Sequence, residues 1–383
     1  MVAYDKKSIE ALQINKLVRR WFALGLIEES TKNNLKASCI SKFKTTRPIA
    51  KVGLFIFTLI ASLAVTGFSM LLTSIGRDSG LGFACLIVSV ISILLNENLI
   101  KHKHYYRSGI DNALTYFSAA TFLTSLAFLM TDHPDHTLLL YFIACLLFTA
   151  LCIRYCDLIC TAAAFYCLLA VFYYLLHNLS LALLPFFFML FAALVYFLCS
   201  RFIEKPIFRF HKNNLHTLRL LSLLSFYLAG NYFVIREATE NILNFQLKKG
   251  DDIPMALFFY LFTAMVPLLY IYWGLQQKDR LILLTGLGIT ILSALTFKNY
   301  FSLGQPEILL SAVGALLILL AYFTIRYLSS PKHGFTAQPD KNHSDLEALV
   351  LVQSFAGKPA APKQNAVQMG GGDFGGGGAG SGF

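Results

Sequence analysis

Residues 52–74 read "VGLFIFTLIASLAVTGFSMLLTS", a run of consecutive positions without a single charge. A helix crosses the hydrocarbon of a bilayer in about 20 residues, so this stretch is long enough to span and too apolar for water. Comparable runs recur as far as residue 328 and predict an all-α, polytopic membrane helix bundle. The sequence places about ten transmembrane helices in a domain of residues 49–328, near 52–74, 80–99, 109–130, 137–153, 157–176, 179–200, 215–236, 254–275, 281–297 and 307–328. Composition agrees: 56% of residues are hydrophobic, 14% are charged and the mean hydropathy is +0.60. Soluble domains carry about a quarter charged residues.

Residues 1–48 are polar and basic and lack the pattern of a cleaved secretory signal. "SIEALQINKLVRRWFALGLI" (8–27) sets Ile9, Leu12, Leu17, Trp21 and Leu24 at roughly helical spacing. Gly25 is a stop signal, and "EESTKNNLKASC" (28–39) reads as a second helix with acidic residues in its first turn. The expectation is a helical hairpin over 6–40 with Leu17, Trp21 and Leu24 at its centre, then a basic linker reaching Pro48, a residue suited to a helix's first turn. A DNA-binding helix-turn-helix needs a third helix for its core, so nucleic acid is not an expected partner.

The formal charge of +11 points to the membrane, because the basic residues flank the apolar runs. With the N-terminus inside, 27 of the 32 Lys and Arg residues fall in inner segments and 5 in outer ones. The positive-inside rule then predicts an inner-membrane protein with both termini in the cytoplasm. "RFIEKPIFRFHKNN" (201–214), basic and aromatic, is expected along the interface. "KHKHYYR" (101–107) reads as a headgroup contact. Residues 329–383, rich in Gly, Pro, Ala, Asn and Gln, predict a disordered cytoplasmic tail ending "GGGDFGGGGAGSGF". Within it Phe374 and Phe383 are the side chains a protein partner would grip, the N-terminal hairpin being the second place for one.

Every charge falls near the end of an expected span, which argues against a carboxylate proton relay at the midplane. In "YYRSGIDNALTYFSAATFLTS" (105–125), Asp111 opens the third span with Arg107 four residues earlier. Helix capping accounts for Asp111, and an amide would then serve almost as well. Thr115, Ser118, Thr121 and Ser125 continue along one side, and Ser62, Thr66, Ser69 and Thr73 form a similar stripe on span one. Such stripes let membrane helices pack closely and hydrogen-bond; the competing reading is a solute cavity among spans one, three and seven. Asn231, beside Gly230, is an amide well inside an apolar run, and Pro185, Pro267 and "TGLGIT" (285–290) are candidate kinks.

The eight cysteines read as small apolar packing residues. "TDHPDH" (131–136) reads as a solvated turn around Pro134 in preference to a weak metal site. No nucleophilic triad, phosphate loop or HExxH motif occurs, so neither cofactor nor metal nor catalytic residue is expected.

"INKLVRRWFALGLIEEST" (14–31), "VGLFIFTLIAS" (52–62) and "KHKHYYRSGIDNALTYFS" (101–118) resemble a family of bacterial, Bacteroidetes-like multi-pass membrane proteins with a small N-terminal helical domain. The glycine-aromatic tail is similar to those of relatives in that group. The resemblance covers roughly the first 130 residues and implies architecture and location, with no activity attached. The expected function is therefore a non-enzymatic inner-membrane scaffold, sensor or assembly factor working through its cytoplasmic ends. The alternative is a transporter or channel for an uncharged or amphipathic solute.

Overall fold

The computed structural model describes residues 3–23, 25–44, 46–73, 78–130, 136–176, 183–241 and 252–300, with isolated positions between 311 and 326. Among them the chain is helical, and its one strand-like contact is a bridge between Lys44 and Tyr105. The helices are α1 (Lys6–Ala23), α2 (Glu29–Ser38), α3 (Pro48–Thr73), α4 (Asp78–Lys103), α5 (Ile110–Leu129), α6 (His136–Tyr155), α7 (Leu158–Leu176), α8 (Leu184–Ile203), α9 (Lys212–Gly230), α10 (Tyr232–Asn241), α11 (Ala256–Gln277) and α12 (Arg280–Tyr300). Eight of these, α3 to α8 with α11 and α12, are long and apolar enough to cross a membrane. The chain is a multi-pass membrane protein whose outward side chains meet lipid: Phe57, Phe68, Leu190 and Leu257 are all exposed on such helices.

The seventh expected span is broken. After a 3-10 turn over Pro206–His211, α9 runs to Gly230, and α10 leaves at a 70° bend. Counted as one broken span, the pair raises the number to nine; the tenth, 307–328, lies mostly outside the described residues. Two of the candidate kinks fall where no helix is interrupted. Pro185 sits in the first turn of α8, where it has no intrahelical bond to break, because α8 starts at Leu184 and not near 179. The glycines of 285–290 lie within a continuous α12. Pro267 lies inside α11 and is buried.

Helix starts follow a legible capping pattern. Asp157 accepts from the amides of Ile159 and Cys160 at 2.9 Å each, Asp279 from Leu281 at 2.9 Å, Asp5 from Ser8 at 3.2 Å, and Asn231 from Val234 at 3.3 Å. Each stands immediately before its helix and satisfies donors that the helix itself leaves free.

Packing divides by depth. Only 6% of the apolar window of α3 is buried against 44% for α5, so α3 leans on α4 and α5 while its other faces meet lipid. Helices α4/α5, α6/α7, α8/α9 and α11/α12 are paired neighbours, and α9 touches α7, α8, α10, α11 and α12. Tyr196, Leu223, Tyr227, Val266, Tyr270, Ile282 and Ile289 form the core around α9.

Helices α1 and α2 do pack together, but not around the expected residues. Leu17 and Trp21 are exposed, Leu24 lies outside the described residues, and α2 buries none of its residues. The buried face of α1 is Ser8, Ile9, Ala11 and Val18. Two short helices cannot enclose a core alone, and Ile9 instead joins Tyr4, Phe43, Ile100, Leu151 and Tyr155 at the end of the bundle.

At Gly274, a Cβ would stand 2.6 Å from the backbone nitrogen of Leu283, whereas one at Gly288 would meet nothing within 4 Å. Gly274→Ala should force α11 and α12 apart and lower stability by about 1–3 kcal/mol. Gly288→Ala should be neutral or stabilising by about 0.5–1 kcal/mol. Thermal unfolding of the purified protein in detergent checks the contrast.

Candidate functional site

A dense convergence of polar groups lies where the N-terminal segment meets the bundle, and Asp111 is its centre. Its carboxylate is 1% exposed. One oxygen accepts from the Ser108 amide at 2.8 Å and the Ser108 hydroxyl at 3.0 Å. The other accepts from the Arg107 amide at 2.7 Å and the Tyr4 hydroxyl at 3.0 Å. Asp111 is the second residue of α5 and reaches backwards, while the cap position is Gly109, which has no side chain. The capping reading is therefore corrected: Asp111 ties the preceding loop and a residue 107 positions away to α5.

The loop is shaped for this. His104, Arg107 and Gly109 have φ of 55°, 47° and 99°. At Gly109 a Cβ would come 2.2 Å from the Lys51 carbonyl oxygen, so the start of α3 can approach α5 only over glycine. The Arg107 side chain donates to the Cys156 carbonyl at 3.0 Å, and the Thr46 hydroxyl to the Ser108 carbonyl at 3.2 Å. Tyr4 is boxed edge-on by Tyr106 at 4.9 Å, Phe43 at 6.1 Å and Tyr155 at 6.4 Å. Burial, then the charge of Asp111, push the Tyr4 phenol far above its ordinary value, so it remains a donor at physiological pH.

A second layer surrounds this centre. Arg154 makes a two-pronged contact to Glu97 at 2.8 and 2.7 Å, and the Tyr155 hydroxyl donates to Glu97 at 2.8 Å. The Ala3 amide donates to the Arg154 carbonyl at 2.8 Å, and Glu10 pairs with Arg209. The Tyr116 hydroxyl donates to Asp157 at 2.8 Å. A space of about 10 Å³, roughly enough for one water, lies among Tyr4, Arg107, Asn112, Thr115, Tyr155 and Asp157.

The polar stripe of α5 is occupied by α4. Thr115 accepts from Asn96 at 2.9 Å, Ser89 donates to the Ser118 carbonyl at 2.8 Å, and Thr121 and Ser125 are buried alongside. The contacts along this stripe are those of helix packing. All eight cysteines are free thiols. Burial, then Cys152, push the Cys156 thiol up to about 11, which keeps it protonated and poorly nucleophilic. No group of three metal-ligating side chains occurs among the described residues; 131–135, Phe374 and Phe383 lie outside them.

Asn231 belongs to the opposite end. Besides capping α10, its amide donates to the Tyr227 hydroxyl at 3.0 Å and Thr296 Oγ1 at 3.1 Å. The Tyr232 amide, which a continuous helix would satisfy itself, donates to the Thr263 hydroxyl at 3.0 Å. In the elbow of the bend lies an apolar cavity of about 310 Å³, walled by α7, α8, α9 and α10. Sequence reasoning found Asn231 but not this cavity, which no spacing announces. Searches against family models, curated proteins and solved structures give no match to the chain.

Because each Asp111 oxygen accepts two bonds, Asp111→Asn must present its amide nitrogen to two donors. It should lose two charged bonds and destabilise by about 3 kcal/mol or more, while Tyr4→Phe should lose one, about 1.5–3 kcal/mol. Both should release the N-terminal segment to protease, read by limited digestion beside thermal unfolding.

Arg219 donates to Asp279 at 2.5 Å and to the Tyr196 hydroxyl at 3.2 Å. Burial opposes the charge of Asp279, but the hydrogen bond and charge of Arg219 outweigh it and hold the carboxyl below its ordinary 3.8. The folded state thus binds fewer protons at this site, so its contribution is complete above 3.8 and lost as pH falls through the lower folded value. Asp279→Asn should lower stability at neutral pH and flatten the acid limb of the melting curve.

Proposed function

We propose that this chain is a non-enzymatic inner-membrane protein acting as a scaffold, sensor or assembly factor through its cytoplasmic ends. The observation that supports this reading is the docking of the N-terminal segment: Ala3, Tyr4 and Glu10 are bonded to α6, α5 and the turn before α9. An event at that segment therefore bears directly on the loop before α5 and on the α4–α6 ion pair. In the same proposal the bundle has ten spans, with the N-terminal hairpin and residues 329–383 both cytoplasmic, as the 27-to-5 distribution of basic residues favours. Membership of the Bacteroidetes-like family is part of the proposal and rests on the three sequence stretches quoted above.

A second reading, a transporter or channel for an uncharged or amphipathic solute, is favoured by the broken span at Asn231 and the cavity in its elbow. The two readings separate by experiment. Deleting residues 370–383 should leave insertion and abundance unchanged while removing at least one co-purifying protein. Retention of every partner would count against a scaffold working through the tail. A reporter fused after Phe383 should be cytoplasmic, and a periplasmic one would overturn the topology.

A further inference from the structure

We propose that the cavity in the elbow of α9 and α10 is the seat of one acyl chain of a membrane lipid. The assignment is independent of whether the protein scaffolds or transports.

Volume comes first. About 310 Å³ falls at the small end of ligand sites, roughly 300–1,000 Å³, and suits one hydrocarbon chain better than a bulky ring system. Chemistry narrows the choice. Leu169, Phe188, Leu228, Val234 and Ala238 are among the apolar side chains that wall it. No charged side chain lines it; its polar side chains are Tyr166, Tyr173, Ser225 and Thr239, and the Thr239 hydroxyl is spent on the Ile235 carbonyl at 2.7 Å. A polar solute would lose its hydration and find almost nothing in return. A hydrocarbon chain loses nothing on leaving lipid and gains contact along its length.

Location supplies the source. The walls α7 and α8 are both long and apolar enough to cross a membrane, which sets the elbow beside lipid. The void is also a maintained feature. The bend that opens it is fixed by the Asn231 cap, the Asn231–Thr296 bonds and the Tyr232–Thr263 bond. Ala229 and Ala238 stand on the two arms of the elbow, where larger side chains would fill the space.

The test uses the full-length protein in phosphatidylethanolamine–phosphatidylglycerol vesicles carrying a trace of phospholipid with a photoactivatable diazirine in one acyl chain. Adducts are mapped by mass spectrometry on α10 and, as the bulk-lipid reference, on the exposed face of α3 around Phe57. Irradiation follows the exchange: after increasing exchange into detergent, α10 should still form adducts when α3 no longer does. Ala238→Phe should reduce the α10 adducts about tenfold, a change equivalent to roughly 1.4 kcal/mol of binding, with the melting temperature retained. Ala229→Leu, on the other arm, serves if Ala238→Phe fails to fold. Loss of α10 adducts at the same rate as α3 adducts overturns the proposal whatever the variants do. So do α10 adducts unchanged in a folded filling variant.

Discussion

Lipid offers no hydrogen bonds, so a polar group that this chain buries has to look for its partner inside the protein. Few side-chain atoms among the described residues, Asn96 Oδ1 and Ser125 Oγ among them, are left without one. That constraint explains which side chains meet. Asn96 donates to Thr115 and Ser89 to the Ser118 carbonyl, so the facing sides of α4 and α5 supply these partners to each other. Arg219, two turns into α9, reaches back to Asp279 in the turn between α11 and α12, and its guanidinium lies 5.2 Å from the centre of the Tyr196 ring. Water would compete for each of these contacts at a protein surface. Here the alternative to the contact is an unpaired polar atom, so each one fixes a helix position as well as adding stability.

The same constraint gives the two ends of the bundle different characters. Apolar helices gain little from leaving lipid for one another, so close contacts and polar bonds must hold them. At the end bearing the N-terminal segment these bonds join residues far apart in sequence, Tyr4 with Asp111 and Glu97 with Arg154, and the result is one interlocked layer. At the other end the bonds are spent on holding a helix bent. Gly230 lets the Phe262 ring lie where a Cβ would stand 2.2 Å away, and Asn231 both ends one arm and caps the next. One end is closed by its hydrogen bonds and the other is held open by them.

The spans were legible because length and hydropathy are local properties, and their ends shifted by only a few residues where a cap such as Asp157 or Asp279 stood in the sequence. The break was not legible: a window summed over 215–236 stays apolar whether or not the helix turns inside it. Asn231 was the available signal, an amide that an unbroken helix in lipid has little use for. The role of Asp111 was hidden because its position near a helix start mimics a cap, and the Tyr4 partner that distinguishes the two is 107 residues away. The face of α1 was misread for a related reason. Periodicity marked Ile9, Leu12, Leu17, Trp21 and Leu24 as one set; the bundle end, which no periodicity describes, took Ile9 and Leu12 and left Leu17 and Trp21 exposed.

The break also bears on length. Helix α9 has 19 residues, about 28 Å at 1.5 Å per residue, close to the thickness of a bilayer's hydrocarbon core. Its length would suffice, but α9 is apolar enough to count as a span only together with α10. A 70° turn lays α10 nearly across the direction of α9, and its composition suits that course. Tyr232, Ile235 and Thr239 are buried on one side, whereas Arg236 bonds Glu240 at 3.3 Å and Glu240 is exposed on the other. A helix so divided fits the boundary between hydrocarbon and headgroups better than the hydrocarbon itself. Straightening the pair would carry Arg236, Glu237 and Glu240 along the axis of a spanning helix and remove the cap that Asn231 supplies. The bend takes those charges off the axis of α9, and the apolar hollow beside α10 follows from the same geometry.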